Sequence, residues 1–194
     1  MVGGQVAGPY DELSNRSDAV ALLPIRTYPD PVLRGEAKPV TVIDARLRQL
    51  AADMIETMQE ANGVGLAAPQ VGVGLRMAIV DFDPENGDPR VLINPVITKR
   101  SGRKELGDEG CLSFPGLRSR VKRSPRVVCE AQNLDGEIVE YQAEDLSARA
   151  VQHELDHLDG LLFVDKVGPS DKQSIQGELE EMEENYAELN GLRR

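Results

Sequence analysis

The chain has 194 residues, 40% of them hydrophobic and 28% charged, with a net charge of −11. That length suits one domain with a sizeable core, and the acidic balance excludes a protein whose main business is coating nucleic acid. No apolar run is long enough to span a bilayer and no secretory signal opens the sequence, so a cytoplasmic protein without a DNA or membrane partner is expected.

Residues 1–21 mix Gly, Ser, Asn and charge with few large apolar groups and read as a flexible arm. Order is expected from about Leu22, where Pro24, Pro29 and Pro31 favour an extended, turning entry. Residues 43–60 form the first strong helical pattern, because Ile43, Leu47, Leu50, Met54, Ile55 and Met58 recur at helical spacing. Met54 and Met58 are read as core, not as soft ligands. A small-residue loop follows, Gly63-Val64-Gly65-Leu66-Ala67-Ala68-Pro69-Gln70. It lacks the Lys-Ser/Thr sequel of a phosphate-binding loop. Its glycines mark a backbone that another group approaches closely, and Gln70 either braces the loop or serves a site.

Residues 75–82 and 90–98 read as strands joined by a loop over 84–89. Residues 109–116 form a glycine-bounded turn holding Cys111. Residues 118–122, 127–133 and 138–144 read as strands, with Asp135-Gly136 turning the last pair. A helix capped by Asp145 and ended by Gly160 is expected next, and then a final acidic helix over 172–189. Its glutamates, Glu178, Glu180, Glu181, Glu183 and Glu184, are read as a solvated face.

Both histidines of the chain lie in the penultimate helix, in His153-Glu154-Leu155-Asp156-His157. Residues four apart on a helix share a face, so the two imidazoles point at one spot, and Glu154 is close enough to reach a water there. Two neutral imidazoles and a carboxylate in this order are the parts of a metal-activated hydrolase. Leu146, Ala150, His153 and His157 fall on one face, Val151, Leu155 and Leu158 on a second, and Arg149, Gln152, Asp156 and Asp159 take what is left.

A catalytic site of this kind needs a third ligand. It cannot be histidine, because none is left, and Phe163 stands where one zinc-protease pattern places its third. A distant glutamate is one candidate. Cys111 is the better one, since a thiolate is a strong ligand for zinc or ferrous iron. The two cysteines, Cys111 and Cys129, could also join both histidines in a closed structural zinc centre, although such a centre has no need of Glu154. A disulfide between them has no secretion signal to support it.

Three stretches together, Gly63 through Gln70, Glu109-Gly110-Cys111-Leu112-Ser113 and His153 through His157, resemble the signature motifs of peptide deformylases, in that family's order. The opening from Pro24 to Leu33 is similar to the start of that family's catalytic domain. The resemblance implies an α+β fold, with antiparallel β-sheets around a central metal-binding helix, an N-terminal helix and a C-terminal helix. The resemblance covers roughly residues 24–164, and a catalytic region over 22–168 is expected, with the acidic helix of 169–194 part of the same domain. The implied reaction removes the N-formyl group from new proteins that begin with formyl-methionine. The implied metal ligands are Cys111, His153 and His157 around one divalent ion, Fe²⁺ in the first place, with Zn²⁺, Ni²⁺ or Co²⁺ able to substitute.

On that reading Glu154 moves the proton, while the Gln70 side-chain amide and the Leu112 backbone N–H stabilise the oxyanion. Val64, Gly65, Gly110, Leu146 and Ala150 are expected to hold the methionyl peptide, and Glu109 to pair with Arg123 behind the cysteine turn. Nascent chains are the expected partners, with a transient ribosome contact. Three rival readings are a peptide-bond protease with a glutamate third ligand, a ribosome-associated module without turnover, and a structural zinc protein.

Overall fold

The computed structural model describes residues 21–192. The expected arm at 1–21 therefore lies, apart from Ala21, outside the described residues. Helix α1 (Ala45–Glu60) starts at Asp44, whose side chain accepts the Leu47 N–H, two residues later than the apolar pattern suggests. A side-chain acceptor at that position satisfies an amide the helix cannot satisfy itself. The strands are β1 (Gly65–Ala67), β2 (Met77–Asp81), β3 (Pro89–Arg100), β4 (Glu105–Cys111), β5 (Phe114–Arg123), β6 (Arg126–Gln132) and β7 (Ile138–Glu144). Helices α2 (Asp145–Leu158), α3 (Pro169–Ser174) and α4 (Gln176–Leu189) complete the chain.

Five strands form one antiparallel sheet in the order β1-β2-β3-β6-β7, and β4 and β5 form a separate hairpin. The large sheet is covered on both faces. Leu66, Met77, Ile79 and Ile93 pack with Leu47, Leu50, Met54 and Met58 of α1. On the opposite face Val80, Leu92, Val127, Cys129 and Ala143 pack with Ala148, Ala150, Val151 and Leu155 of α2. Burial on two faces explains why β2 is a continuous apolar run without polar alternation. Pro95 is tolerated inside β3 because the ladder to β6 shifts register between Ile93 and Val96. Asn94, at φ 50°, uses its side chain there to accept the Val40 N–H and to donate to the Val40 carbonyl.

Three sequence expectations need correction. Helix α2 does not begin with an aspartate cap. The flanking residue is Glu144, whose backbone N–H and carbonyl are both bonded by the Ser147 hydroxyl, while Asp145 is the first helical residue, at φ 48°. The acidic C-terminal helix is broken at Ile175 into α3 and α4, because Ile175 turns inward with Leu179 to pack beside Phe114 and Phe163. The glycine-bounded segment around Cys111 is less a loop than the end of a hairpin. β4 runs to Cys111, and only Leu112 and Ser113 turn the chain into β5. The end of α2 agrees with expectation, with Gly160 at φ 71° turning the chain away.

Candidate metal centre and active-site cleft

Helix α2 is buried along almost its whole length, and the side carrying both histidines meets the tip of the β4–β5 hairpin. Gln152 fixes the helix in place: its side-chain amide accepts the Ser124 N–H and donates to the Ser124 carbonyl at the β5–β6 turn. The rings of His153 and His157 stand 4.9 Å apart, edge to face. Cys111 Sγ lies 3.2 Å from His157 Nε2. The ligand atoms of Cys111, His153 and His157 all fall within 4.8 Å of one another, and no other such group of three occurs among the described residues.

This donor set fits a divalent ion. A tetrahedral site with one thiolate and two imidazoles has ligand atoms roughly 3.5 Å apart, close to the separation of Cys111 and His157. His153 is oriented for the purpose. Its Nδ1 lies 3.1 Å from Glu109 Oε2 and donates there, so that in the neutral ring Nε2 carries the lone pair. Glu154 Oε2 is buried without a hydrogen-bond partner among the described residues, a costly position for a carboxylate unless a polar guest meets it.

Charge around the centre is organised by Glu109 and Arg123, whose side chains are 3% and 4% exposed. Arg123 forks onto Glu109 through Nε and Nη2, at 2.8 and 3.0 Å, and reaches Asp156 on α2 through Nη1. Burial pushes the Glu109 carboxyl up, but hydrogen bonds from His153 and Arg123 outweigh it and hold Glu109 well below the ordinary carboxylate range. Burial alone dominates at Glu154, pushing its carboxyl up to about 7 against the opposing pull of His153.

That shift has a measurable consequence in metal-free protein. A carboxyl whose folded pKa is raised from 4.5 to about 7 contributes stability below 4.5 that is lost as pH rises through 7. Glu154→Gln removes this titration. The variant should therefore gain stability on the wild type between pH 5 and pH 8, by at most roughly 3 kcal/mol, read by urea unfolding. A difference that does not change with pH would contradict a buried, desolvated carboxyl.

Gln70 bonds to its own loop and to the cysteine turn. Its carbonyl oxygen accepts the Ala67 N–H at 2.8 Å, which braces the loop, and its amide donates to Ser113 Oγ at 3.1 Å and Cys111 Sγ at 3.4 Å. The Leu112 N–H, at the hairpin tip, makes no hydrogen bond among the described residues. A cleft of about 470 Å³ opens beside these groups. Val64, Gly65, Gly110, Leu146 and Ala150 all line it, together with Gln70, Cys111, Leu112, His153 and Glu154. Leu146 is half exposed at its rim and Ala150 is buried at its wall.

Cys129 is elsewhere, buried on β6 among aliphatic side chains that push its thiol up to about 11. No disulfide joins the two cysteines, and Cys129 does not converge with Cys111, His153 and His157 as the closed four-ligand centre would require. Sequence reasoning placed Arg149 among the leftover positions of α2. The structure turns it inward to Glu109, with its side chain 17% exposed. Its spacing of four from His153 was the available signal.

The family model for polypeptide deformylases matches residues 22–173. The chain belongs to the peptide deformylase family. It is 54% identical over 142 residues to the peptide deformylase of Dictyoglomus thermophilum, an alignment covering 73% of this chain and 90% of that one. The peptide deformylase of Acidothermus cellulolyticus is 49% identical over 164 residues, covering 84% and 89%. Among solved structures, peptide deformylase 1B of Arabidopsis thaliana superposes with a TM-score of 0.83 at 40% identity, covering 86% of this chain and 93% of that one. The peptide deformylase of Thermotoga maritima gives 0.72 at 45%, covering 76% and 99%. As a peptide deformylase, the chain is a metal-dependent hydrolase that removes the formyl group from the N-terminal methionine of newly made proteins. The α+β architecture expected for peptide deformylases is the one observed. None of its helices, among the described residues, is long and apolar enough to cross a membrane.

Proposed function

We propose that Cys111, His153 and His157 hold the ion of this deformylase, that Glu154 moves the proton, and that Gln70 and Leu112 donate to the oxyanion. The observation that carries this reading is the convergence of one thiolate and two imidazoles within 4.8 Å, beside a buried carboxylate with an orphaned oxygen. When bound, the divalent ion supplies Lewis acidity, which polarises a carbonyl and makes water acidic near neutral pH. Glu154, buried beside the candidate ligands with one carboxylate oxygen unpartnered, is placed to take a proton from that water and return it to the departing amine. The Gln70 amide and the Leu112 N–H are fixed donors on the cysteine side of the cleft, where the formyl oxygen becomes an anion. Products are formate and a free N-terminus.

We assign Fe²⁺ as the native ion, with Zn²⁺, Ni²⁺ and Co²⁺ as substitutes, because thiolate and imidazole suit all four. Val64, Gly65, Gly110, Leu146 and Ala150 form the methionyl-peptide site, with the peptide adding as a strand along Gly65 or Gly110. Residues 22–168 form the catalytic unit, and α4 belongs to the same domain through Ile175 and Leu179. The substrate is the nascent chain, met during a transient ribosome contact in the cytoplasm of a bacterial-type cell.

The first test is formate release from a short N-formyl-methionyl peptide, using anaerobic iron- or nickel-loaded protein and the N-acetyl peptide as control. Release from the formyl peptide alone is expected, because the cleft wall along Gly63 and Gly65 is lined by backbone against the buried Glu154. No formate from folded, metal-loaded protein would overturn the reading. Gly65 offers a second test. A Cβ there would lie 2.3 Å from Glu154 Oε1 and 2.9 Å from its Cγ and Cδ. Gly65→Ala should therefore displace the carboxylate and cost about 10²-fold in kcat, with metal content unchanged. Normal turnover in Gly65→Ala would detach Glu154 from the proton transfer.

A further inference from the structure

The three candidate ligands come from two separate elements: Cys111 from the end of β4, and both histidines from α2. The distance between hairpin and helix therefore decides whether the ligand atoms converge. We propose that Arg149 is a positioning residue that straps the β4–β5 hairpin to α2 and so holds the cysteine and histidine ligands at metal-binding distance.

Arg149 lies one helical turn before His153, and its guanidinium leaves the helix to cross the hairpin. Nη1 donates to Glu109 Oε1 at 2.8 Å and to the Val121 carbonyl at 2.9 Å, and Nη2 donates to the Glu105 carbonyl at 3.4 Å. It thus bonds both strands of the hairpin. Its hold on Glu109 also bears on His153, because the other oxygen of that carboxylate accepts from His153 Nδ1. One side chain therefore touches the frame of the cysteine and the orienting partner of a histidine.

The hairpin is shaped to receive it. The guanidinium lies so close over Gly107 of β4 that a Cβ there would stand 2.4 Å from Nη2 and 2.9 Å from Cζ. Arg123 links hairpin and helix between Glu109 and Asp156, His153 bonds Glu109 directly, and Gln152 bonds Ser124 just past the end of β5. The Arg123 link starts at the far end of β5 and engages α2 below His153. Of the residues before His153, Gln152 bonds only the β5–β6 turn outside its own helix, whereas Arg149, a full turn above, bonds the two strands themselves. Removing it leaves Glu109 paired, so the fold survives while the hairpin gains freedom relative to the helix.

The proposal rests on the ligand assignment above, and its test separates the two. Cobalt(II) is bound to the full chain of the wild type, Cys111→Ser, Arg149→Met and Gly107→Ala. Affinity is read by chelator competition, and the thiolate-to-cobalt absorption is recorded. Urea unfolding of the metal-free proteins is measured alongside. Arg149→Met should keep a cooperative fold yet lose about 10–100-fold in cobalt affinity, the range seen when partners behind a ligand are removed. Gly107→Ala, which retains Arg149 but takes its space, should lose affinity in the same direction and carries the test if Arg149→Met does not fold. Cobalt affinity within twofold of wild type in the folded variants would overturn the strap. A thiolate band that survives Cys111→Ser would overturn the ligand assignment, and the strap with it.

Discussion

Glu154→Gln is expected to lower formate release by about 10²–10⁴-fold, the range for losing a positioned acid–base group, while bound metal stays at wild-type levels. Glutamine keeps the shape and hydrogen-bonding capacity of the buried side chain but cannot take a proton. Stability of the metal-free proteins gives a second readout, because the neutral amide spares the variant the cost of a desolvated charge. The expected pattern is thus a protein that is at least as stable, fully metallated and nearly inactive. Turnover within tenfold of wild type would sink the assignment of Glu154. Loss of metal together with turnover would instead make Glu154 part of the metal-holding frame.

Arg123→Met should produce the largest loss of stability. The change leaves Glu109 and Asp156 buried with one cation fewer, and removing one partner of a buried pair costs about 3–5 kcal/mol. Arg149 and His153 still bond Glu109, and Lys166 still bonds Asp156, so the lower end is expected. In a chain of this size about 3 kcal/mol corresponds to a Tm lower by roughly 10 °C. The loss should depend on pH. Glu109 is held below its ordinary value of 4.5, so its pairing contributes stability above that pH and loses it as pH falls through the folded value. The gap between wild type and Arg123→Met should therefore be full at pH 7 and narrow below pH 4. A gap under about 1 kcal/mol at pH 7, or one that does not narrow in acid, would show that Arg123 is not the counter-ion of this network.

The local parts of the centre were legible because they are local. His153, Glu154 and His157 share a helix, and helical periodicity alone puts both imidazoles on one side. Helix α1 and the β6–β7 hairpin followed from apolar spacing and from Asp135-Gly136 in the same way. Strand β4 was not legible, because Gly107, Asp108 and Gly110 carry weak strand propensity and the strand exists only through its pairing with β5. The break at Ile175 was hidden for a related reason. A polar, helix-favouring stretch gives no sign that one aliphatic residue will join the cluster that holds Phe114 and Phe163.

The amino-acid sequence by itself determined the chemistry of this protein: a two-histidine helix, a glutamate beside it, and a cysteine in a glycine-flanked segment that resembles a family of hydrolases. Only the tertiary structure decided how these come together. It placed Cys111 3.2 Å from His157 across 46 residues of chain, buried Glu109 between two arginines and a histidine, and turned Arg149 from a surface position into a link between two elements. The physical reason is the range of the interactions. Helix periodicity and turn chemistry act over a few residues and are written in sequence order. Desolvation and ion pairing across elements depend on which surfaces the whole chain buries against each other.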